Sequence, residues 1–506
     1  MKRSLTLLAC LLFGGGLFAQ NEDSLFIRRL ADEILVNGKA YENLRQLTKG
    51  VGARLSGSPG MVKAEQWGQG ALQRAGADRV WLQECLVPHW VRGGREYFRA
   101  ERLVSVSADG KNRKWSTRNL NVLALGNSLA SNGAVRAPIM VVRNFQELDA
   151  KKDSVKGKIV FFNYAFNPRF VNTFEAYRDA GVYRSQGPVR AARYGAVGAI
   201  VRSMSISTDN HPHTGGTASG DTIKTVPAVA VGLQDANWLD SNLQTTTVTA
   251  TMQTFGRFLP DTIGHNVIGE LRGTEFPDQV ITLGGHLDSW DPAEGAHDDG
   301  AGIVHTIEVL RAFKALGYRP KRTIRFVLFA NEENGTRGGR KYAEEAKAKN
   351  EQHIFALESD NGGFTPRGFG LTAGDQQYAK FLGWRELIAP YGAGDFRRGG
   401  GGADIGPLGQ QLKTPTCGFV PDSQRYFDIH HATNDVFENV NKRELESRIS
   451  DLGSRISDLG SRISDLDKSF KVRRGRVPRR SHVAGASQIR DPRSEIEDST
   501  LVCFFS

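Results

Sequence analysis

Four stretches of the chain concentrate the residue types that hold metals and move protons. GGHLDSWDPAEGAHDDGAG places His286 two residues before Asp288 and, after a loop, brings Asp298-Asp299-Gly300. FANEENG sets Glu332 and Glu333 side by side at the end of an apolar run, and HIFALESD carries a second such run into Asp360. YFDIHHATND adds the pair His430-His431, with Asp435 four residues after the second. Taken singly, each has an ordinary explanation: a strand-end His or Asp is usually a satisfied polar residue or a cap. Gathered in one pocket as anions, they cost several kcal/mol per charge unless cations accompany them. Imidazole with carboxylate and no thiolate fits zinc in a hydrolytic site, with cobalt or manganese as alternatives. Two ions sharing one carboxylate would neutralise the set, whereas one ion would leave some carboxylates without a partner.

The elements that must position these groups are legible around them. DQVITLGGHLD and RTIRFVLFANEE read as buried parallel strands ending in polar residues, each followed by a helical stretch such as GIVHTIEVLRAFKALG. Polar residues at the C-terminal ends of such strands are where α/β folds build their sites. Between 126 and 256 the texture changes to short β-like runs (APIMVVRN, GKIVFFNY, VPAVAVG, TVTATMQT) separated by turn residues, a compact β-rich insert. The expected fold is α/β, with a mixed, largely parallel sheet flanked by helices and a β-rich domain inserted in it.

These residues resemble the co-catalytic zinc aminopeptidase family, metallopeptidase family twenty-eight, and most of all its carboxypeptidase Q branch. The likeness runs from about residue 40 to 445 and includes GARLSGSPG, VPHWVRGGR, the GGHLDSWD block, the Glu-Glu pair, ESD, GGGGADIGPL and the His-His ending. The resemblance implies two zinc ions, one held by His286 and Asp360, the other by Glu333 and His431, with Asp298 bridging them. It implies that Asp288 orients His286 and that Glu332 is the catalytic base. His431 is favoured over His430 because the family places an Asp four residues after the ligand. The Thr that usually follows that Asp is Val436 here. The insert resembles a protease-associated domain, and the stretch Gly399 to Gly402 with Asp404 a flexible loop near substrate. The implied activity is hydrolysis of dipeptides or short peptides with a free N-terminus, with a homodimer possible. A glutaminyl-cyclase-like acyltransferase and a non-catalytic peptide-binding module are the competing readings on the same fold. His297, His305, His211 and His213 receive no metal role.

Composition bounds the rest. A chain of 506 residues divides into about two or three domains. Residues 1–19 combine Lys2 and Arg3 with an apolar run and Ala19, the pattern of a cleaved export signal, so a secreted or periplasmic protein with no later membrane anchor is expected. Three widely spaced cysteines after it imply neither a disulfide framework nor a thiolate zinc site. The net charge of +11 comes with no nucleic-acid recognition motif and reads as a solvated basic surface. The expected division is 1–19 signal, 20–125 helical segment and start of the peptidase domain, 126–256 insert, and 257–446 catalytic domain. Three near-identical units, SRISDLG, SRISDLG and SRISDLD, follow over 447–467, and 468–506 is a basic tail expected to be disordered. The units carry a heptad spacing that Gly453 and Gly460 weaken, and they begin where the resemblance ends.

Overall fold

The computed structural model describes residues 22–218, 225–450 and Gly453. The expected signal over 1–19, the rest of the repeat and the basic tail lie outside the described residues. Sixteen strands among the described residues form two eight-stranded sheets. In chain order they are β1 Arg79–Val91, β2 Tyr97–Val106, β3 Arg113–Asn119, β4 Val122–Ala124, β5 Val135–Val142, β6 Ile159–Phe162, β7 Gly198–Arg202 and β8 Ala228–Val231. They continue as β9 Val248–Gln253, β10 Arg257–Leu271, β11 Phe276–His286, β12 Arg322–Phe329, β13 Gln352–Glu358, β14 Pro366–Thr372, β15 Asp395–Arg398 and β16 Thr416–Pro421.

The first sheet has the order β1-β10-β12-β11-β13-β16-β14-β15. Its centre, β12-β11-β13-β16, is parallel, and β1, β10 and β14 join antiparallel. Both faces of the centre are covered. Along β12, Ile324, Phe326 and Leu328 join the core beneath helices Pro59–Ala75 and Ala301–Ala315. Val327 and Phe329 point the other way, to Tyr342, Ala343 and Leu408 of helices Arg337–Ala348 and Gly406–Leu412. The parallel strands therefore read as near-continuous apolar runs. GARLSGSPG is a helix start: the Ser58 hydroxyl accepts the Met61 N–H at 3.2 Å, and Pro59 takes the first helical position.

The second sheet, in the order β3-β2-β9-β5-β6-β7-β8-β4, interrupts the first between β1 and β10. These two strands pair antiparallel from Arg79↔Glu270 to Val91↔Arg257, so the insert extends from the end of a long two-stranded ribbon. It begins at β2, which pairs with β9, and the division expected at 126 falls inside it, between β4 and β5. The strand β3, RKWSTRN, is mostly exposed and lacks apolar alternation, so its sheet membership left little trace in the sequence. Packing on the core of the first sheet continues past residue 446. A helix over 442–450 buries Leu445 and Ile449, and Gly453 packs against Leu30. Ile449 and Gly453 of the first repeat unit thus pack with the buried core of the first sheet.

Candidate metal centre

The residues expected in the site lie at the C-terminal ends of the central parallel strands or in the loops that follow them. His286 ends β11, and Glu332 and Glu333 follow β12 after Asn331, whose positive φ of 63° turns the chain. Asp360 follows β13, and His430 and His431 sit in the loop after β16. Asp298 precedes helix Ala301–Ala315 and is joined to Asp299 by a cis peptide.

Asp298 stands between two groups. Its Oδ1 lies 3.2 Å from His286 Nε2, which is also 3.6 Å from Asp360 Oδ1. Its Oδ2 lies 3.1 Å from His431 Nε2, which is also 3.2 Å from Glu333 Oε2. The other nitrogen of each ring meets a backbone carbonyl: His286 Nδ1 is 3.0 Å from the Asp288 carbonyl, and His431 Nδ1 is 3.3 Å from that of Thr214. A carbonyl can only accept, so His286 Nδ1 carries a proton, whereas His431 Nδ1 lies between the Thr214 carbonyl and Arg184 Nη1 at 3.4 Å, a group that can only donate. Two imidazoles and three carboxylates converging in this way gather negative charge that a divalent cation would offset. Asp298 Oδ2 and Glu333 Oε2 are buried with no other hydrogen-bond partner, which fits the same demand.

Asp299 is also near His286 and Asp360. Its oxygens are already engaged, Oδ2 by the His286 N–H at 3.1 Å and Oδ1 by the Gly302 N–H at 3.0 Å. It therefore braces the strand end while Asp298 faces both imidazoles. Burial drives the carboxyls of Glu332 and Glu333 well above the ordinary range, and the neighbouring Asp298 and Asp360 add to this. Burial pushes Asp298 the same way, but His286 and His431 outweigh it and hold Asp298 well below. The pocket is short of positive charge. The described cysteines, Cys85 and Cys417, are buried thiols.

Asp288 meets His286 Nδ1 through its backbone carbonyl at 3.0 Å, and its carboxylate lies 3.7 Å from the same nitrogen. The carboxylate accepts the Glu332 N–H at 3.0 Å and the Ser56 hydroxyl at 3.3 Å. Glu332 Oε2 is 4.0 Å from His286 Nε2. His430 stacks on His431 at 3.6 Å and reaches Asp298 Oδ2 only at 3.5 Å. Asp435 receives the N–H groups of His297 and Asp298, and His297 accepts the Gly363 N–H, so both brace loops around the site. Asp404 is fully buried against Glu358, whose Oε2 accepts the Asp404 and Ile405 N–H groups. Its side chain is therefore not part of an exposed loop.

The insert supplies residues that sequence reasoning missed. His431 has a positive φ of 60°, and Thr214 clamps it by donating its N–H to the His431 carbonyl at 2.9 Å, with its own carbonyl 3.3 Å from Nδ1. Arg184 donates to the Thr214 carbonyl at 3.3 Å and to Tyr177 Oη at 2.6 Å, and Tyr177 meets His430 edge to face. More than two hundred residues separate these groups from His431, and no local signal marks them.

Residues 266–452 match the sequence pattern of peptidase family M28. The chain is 31% identical over 409 residues to carboxypeptidase Q of Mus musculus, covering 80% of this chain and 82% of that one. It is 33% identical over 410 residues to carboxypeptidase Q of Xenopus laevis, covering 80% and 83%. The crystal structure of a peptidase M28 precursor from Shewanella amazonensis superposes with a TM-score of 0.80 at 30% identity, over 87% of this chain and 97% of that one. A zinc aminopeptidase from Bacillus subtilis shares the fold, with a TM-score of 0.56 at 19% identity over 83% and 94%. The strand-end site and these relationships agree: the chain belongs to peptidase family M28 and is a zinc metallopeptidase.

Proposed function

We propose that the protein is an exported peptidase with two zinc ions that hydrolyses dipeptides or short peptides bearing a free N-terminus. The observation that carries this is the two-sided environment of Asp298, with one oxygen toward His286 and Asp360 and the other toward His431 and Glu333. In this reading His286 and Asp360 would hold one ion and Glu333 and His431 the other, with the Asp298 carboxylate available to both. Zinc bound there would lower the pKa of a water, polarise the scissile carbonyl and stabilise the oxyanion that develops on it.

The chain's own groups supply the rest. Glu332 takes a proton from the attacking water as its oxygen bonds to the carbonyl carbon, and gives a proton to the amine nitrogen as the C–N bond breaks. The Asp288 carboxylate fixes the Glu332 backbone for this exchange. Export rests on the signal pattern of residues 1–19, and the preference for a free N-terminus on likeness to proteins named as aminopeptidases.

The test measures zinc content and turnover of free and N-blocked dipeptides on the same samples of wild type and Glu332→Gln. Two zinc ions per chain in both proteins, with turnover nearly abolished in the variant, are expected. One ion per chain, or full activity in Glu332→Gln, refutes the assignment.

A further inference from the structure

The turn that carries Asp360 is held from an unexpected place, the first unit of the C-terminal repeat. Asp360 has the most exposed side chain of the proposed ligands, at 22%. It leads into Asn361-Gly362-Gly363, a turn needing a positive φ of 72° at Gly362, where a Cβ would stand 2.9 Å from the Tyr426 ring. Such a turn has no ladder of its own to fix it, and its carbonyls need donors. Arg448 provides them. Its Nη1 donates to the Asn361 carbonyl at 3.2 Å and to the Gly362 carbonyl. The guanidinium is fully buried, 4.2 Å over the Phe419 ring of β16. On the far side of the turn, the Gly363 N–H donates to His297.

Arg448 is the second residue of SRISDLG, and Arg455 and Arg462 occupy the same place in the next two units. Its neighbour Ile449 fills the core, a packing role separable from the contacts Arg448 makes. A buried cation that directs hydrogen bonds at the two carbonyls following a ligand constrains where that ligand's carboxylate can point. We propose that Arg448 is a positioning residue for the metal site, setting Asp360 through the turn 361–362. This rests on Asp360 being a zinc ligand.

The experiment uses full-length protein and reads the affinity of each zinc ion by titrating metal-free samples against a competing chelator. Wild type, Asp360→Asn, Arg448→Met, Arg448→Lys, Ile449→Ala and Arg455→Met are compared, with thermal unfolding measured on each. Arg448→Met should weaken one ion about tenfold or more, the same ion that Asp360→Asn weakens, and leave the other unchanged. Arg448→Lys should recover part of the loss, and should Arg448→Met not fold, it carries the comparison. Arg455→Met should match wild type, and Ile449→Ala should unfold at lower temperature with both affinities kept. Unchanged affinities in the Arg448 variants, or an equal loss in Ile449→Ala, overturn the inference. If Asp360→Asn binds both ions as wild type does, the ligand assignment fails and takes this inference with it.

Discussion

The carboxylate of Asp288 accepts the backbone N–H of Glu332 at 3.0 Å. The same residue holds His286 through its main-chain carbonyl, so one Asp ties the proposed base to a proposed ligand by two separate groups. A substitution removes only the first. Asp288→Ala should therefore retain metal while lowering kcat about ten- to a hundredfold, because a displacement of about 1 Å in a reacting group costs this much. Metal content and steady-state kinetics on one preparation check it, and loss of metal in step with activity would contradict the division of roles.

Removing metal should also cost stability. Asp298 and Glu333 oxygens crowd His431 Nε2 at 3.1 and 3.2 Å, buried and with no hydrogen-bond partner, a cluster that a bound cation would stabilise. Ligand that binds only the folded state stabilises it by about 4 kcal/mol at a thousandfold excess over Kd. The melting temperature should fall by several degrees in chelator and climb again with added zinc, continuing to rise with concentration. A midpoint indifferent to both would mean that these groups hold no ion.

How much of this could be read from the sequence depends on the distance over which each interaction acts. His286, Glu332, Glu333 and Asp360 end apolar strands within a few residues, so their convergence followed from the α/β rule alone. His431 required the count to Asp435 that the family resemblance supplied; its Nε2 stands 3.1 Å from Asp298, against 3.5 Å for His430. Thr214, Arg184 and Tyr177 act on this loop from the insert, and no pattern near any of them points there. The insert's start was displaced because β3 is a polar, exposed strand whose partner is β2. Arg448 was hidden differently. Its repeat drew attention to periodicity, while its role lies in one guanidinium meeting two carbonyls more than eighty residues back.

Arg54, in the GARLSG stretch, offers a stability prediction. It is fully buried and donates to the carbonyls of Leu287, Glu294 and Gly295, bracing the loop between His286 and Asp298. Burial lowers its pKa, and the charges of Asp435 and Asp288 work against that. Arg54→Met keeps most of the volume but strands three buried acceptors, each worth roughly 1–3 kcal/mol unsatisfied. A loss of about 3 kcal/mol or more should appear in urea unfolding, accompanied by weaker metal binding. A variant as stable as wild type would show that water replaces the guanidinium without cost.

The last prediction concerns acid, and lies away from the metal at the start of β13. Glu351 accepts two hydrogen bonds from Arg325, at 2.6 and 3.1 Å, and its Oε2 is 3.0 Å from His353 Nε2. Burial pushes the carboxyl up, but the bonds from His353 and Arg325 outweigh it and bring its pKa from 4.5 to about 2. A depressed folded pKa means that the unfolded chain takes up the proton first as pH falls. The stabilisation from Glu351 is then complete above pH 4.5 and is lost as pH falls toward about 2. Glu351→Gln should be less stable than wild type near neutrality, by on the order of 1–2 kcal/mol once solvent screening of this partly exposed group is allowed for. The gap should narrow steadily below pH 4.5. The proposed metal ligands titrate in both proteins, so comparing them isolates Glu351. Denaturant unfolding of the pair between neutral and acid pH checks this, and a gap that stays constant or widens toward acid would show that the Arg325 pairing does not control the charge on Glu351.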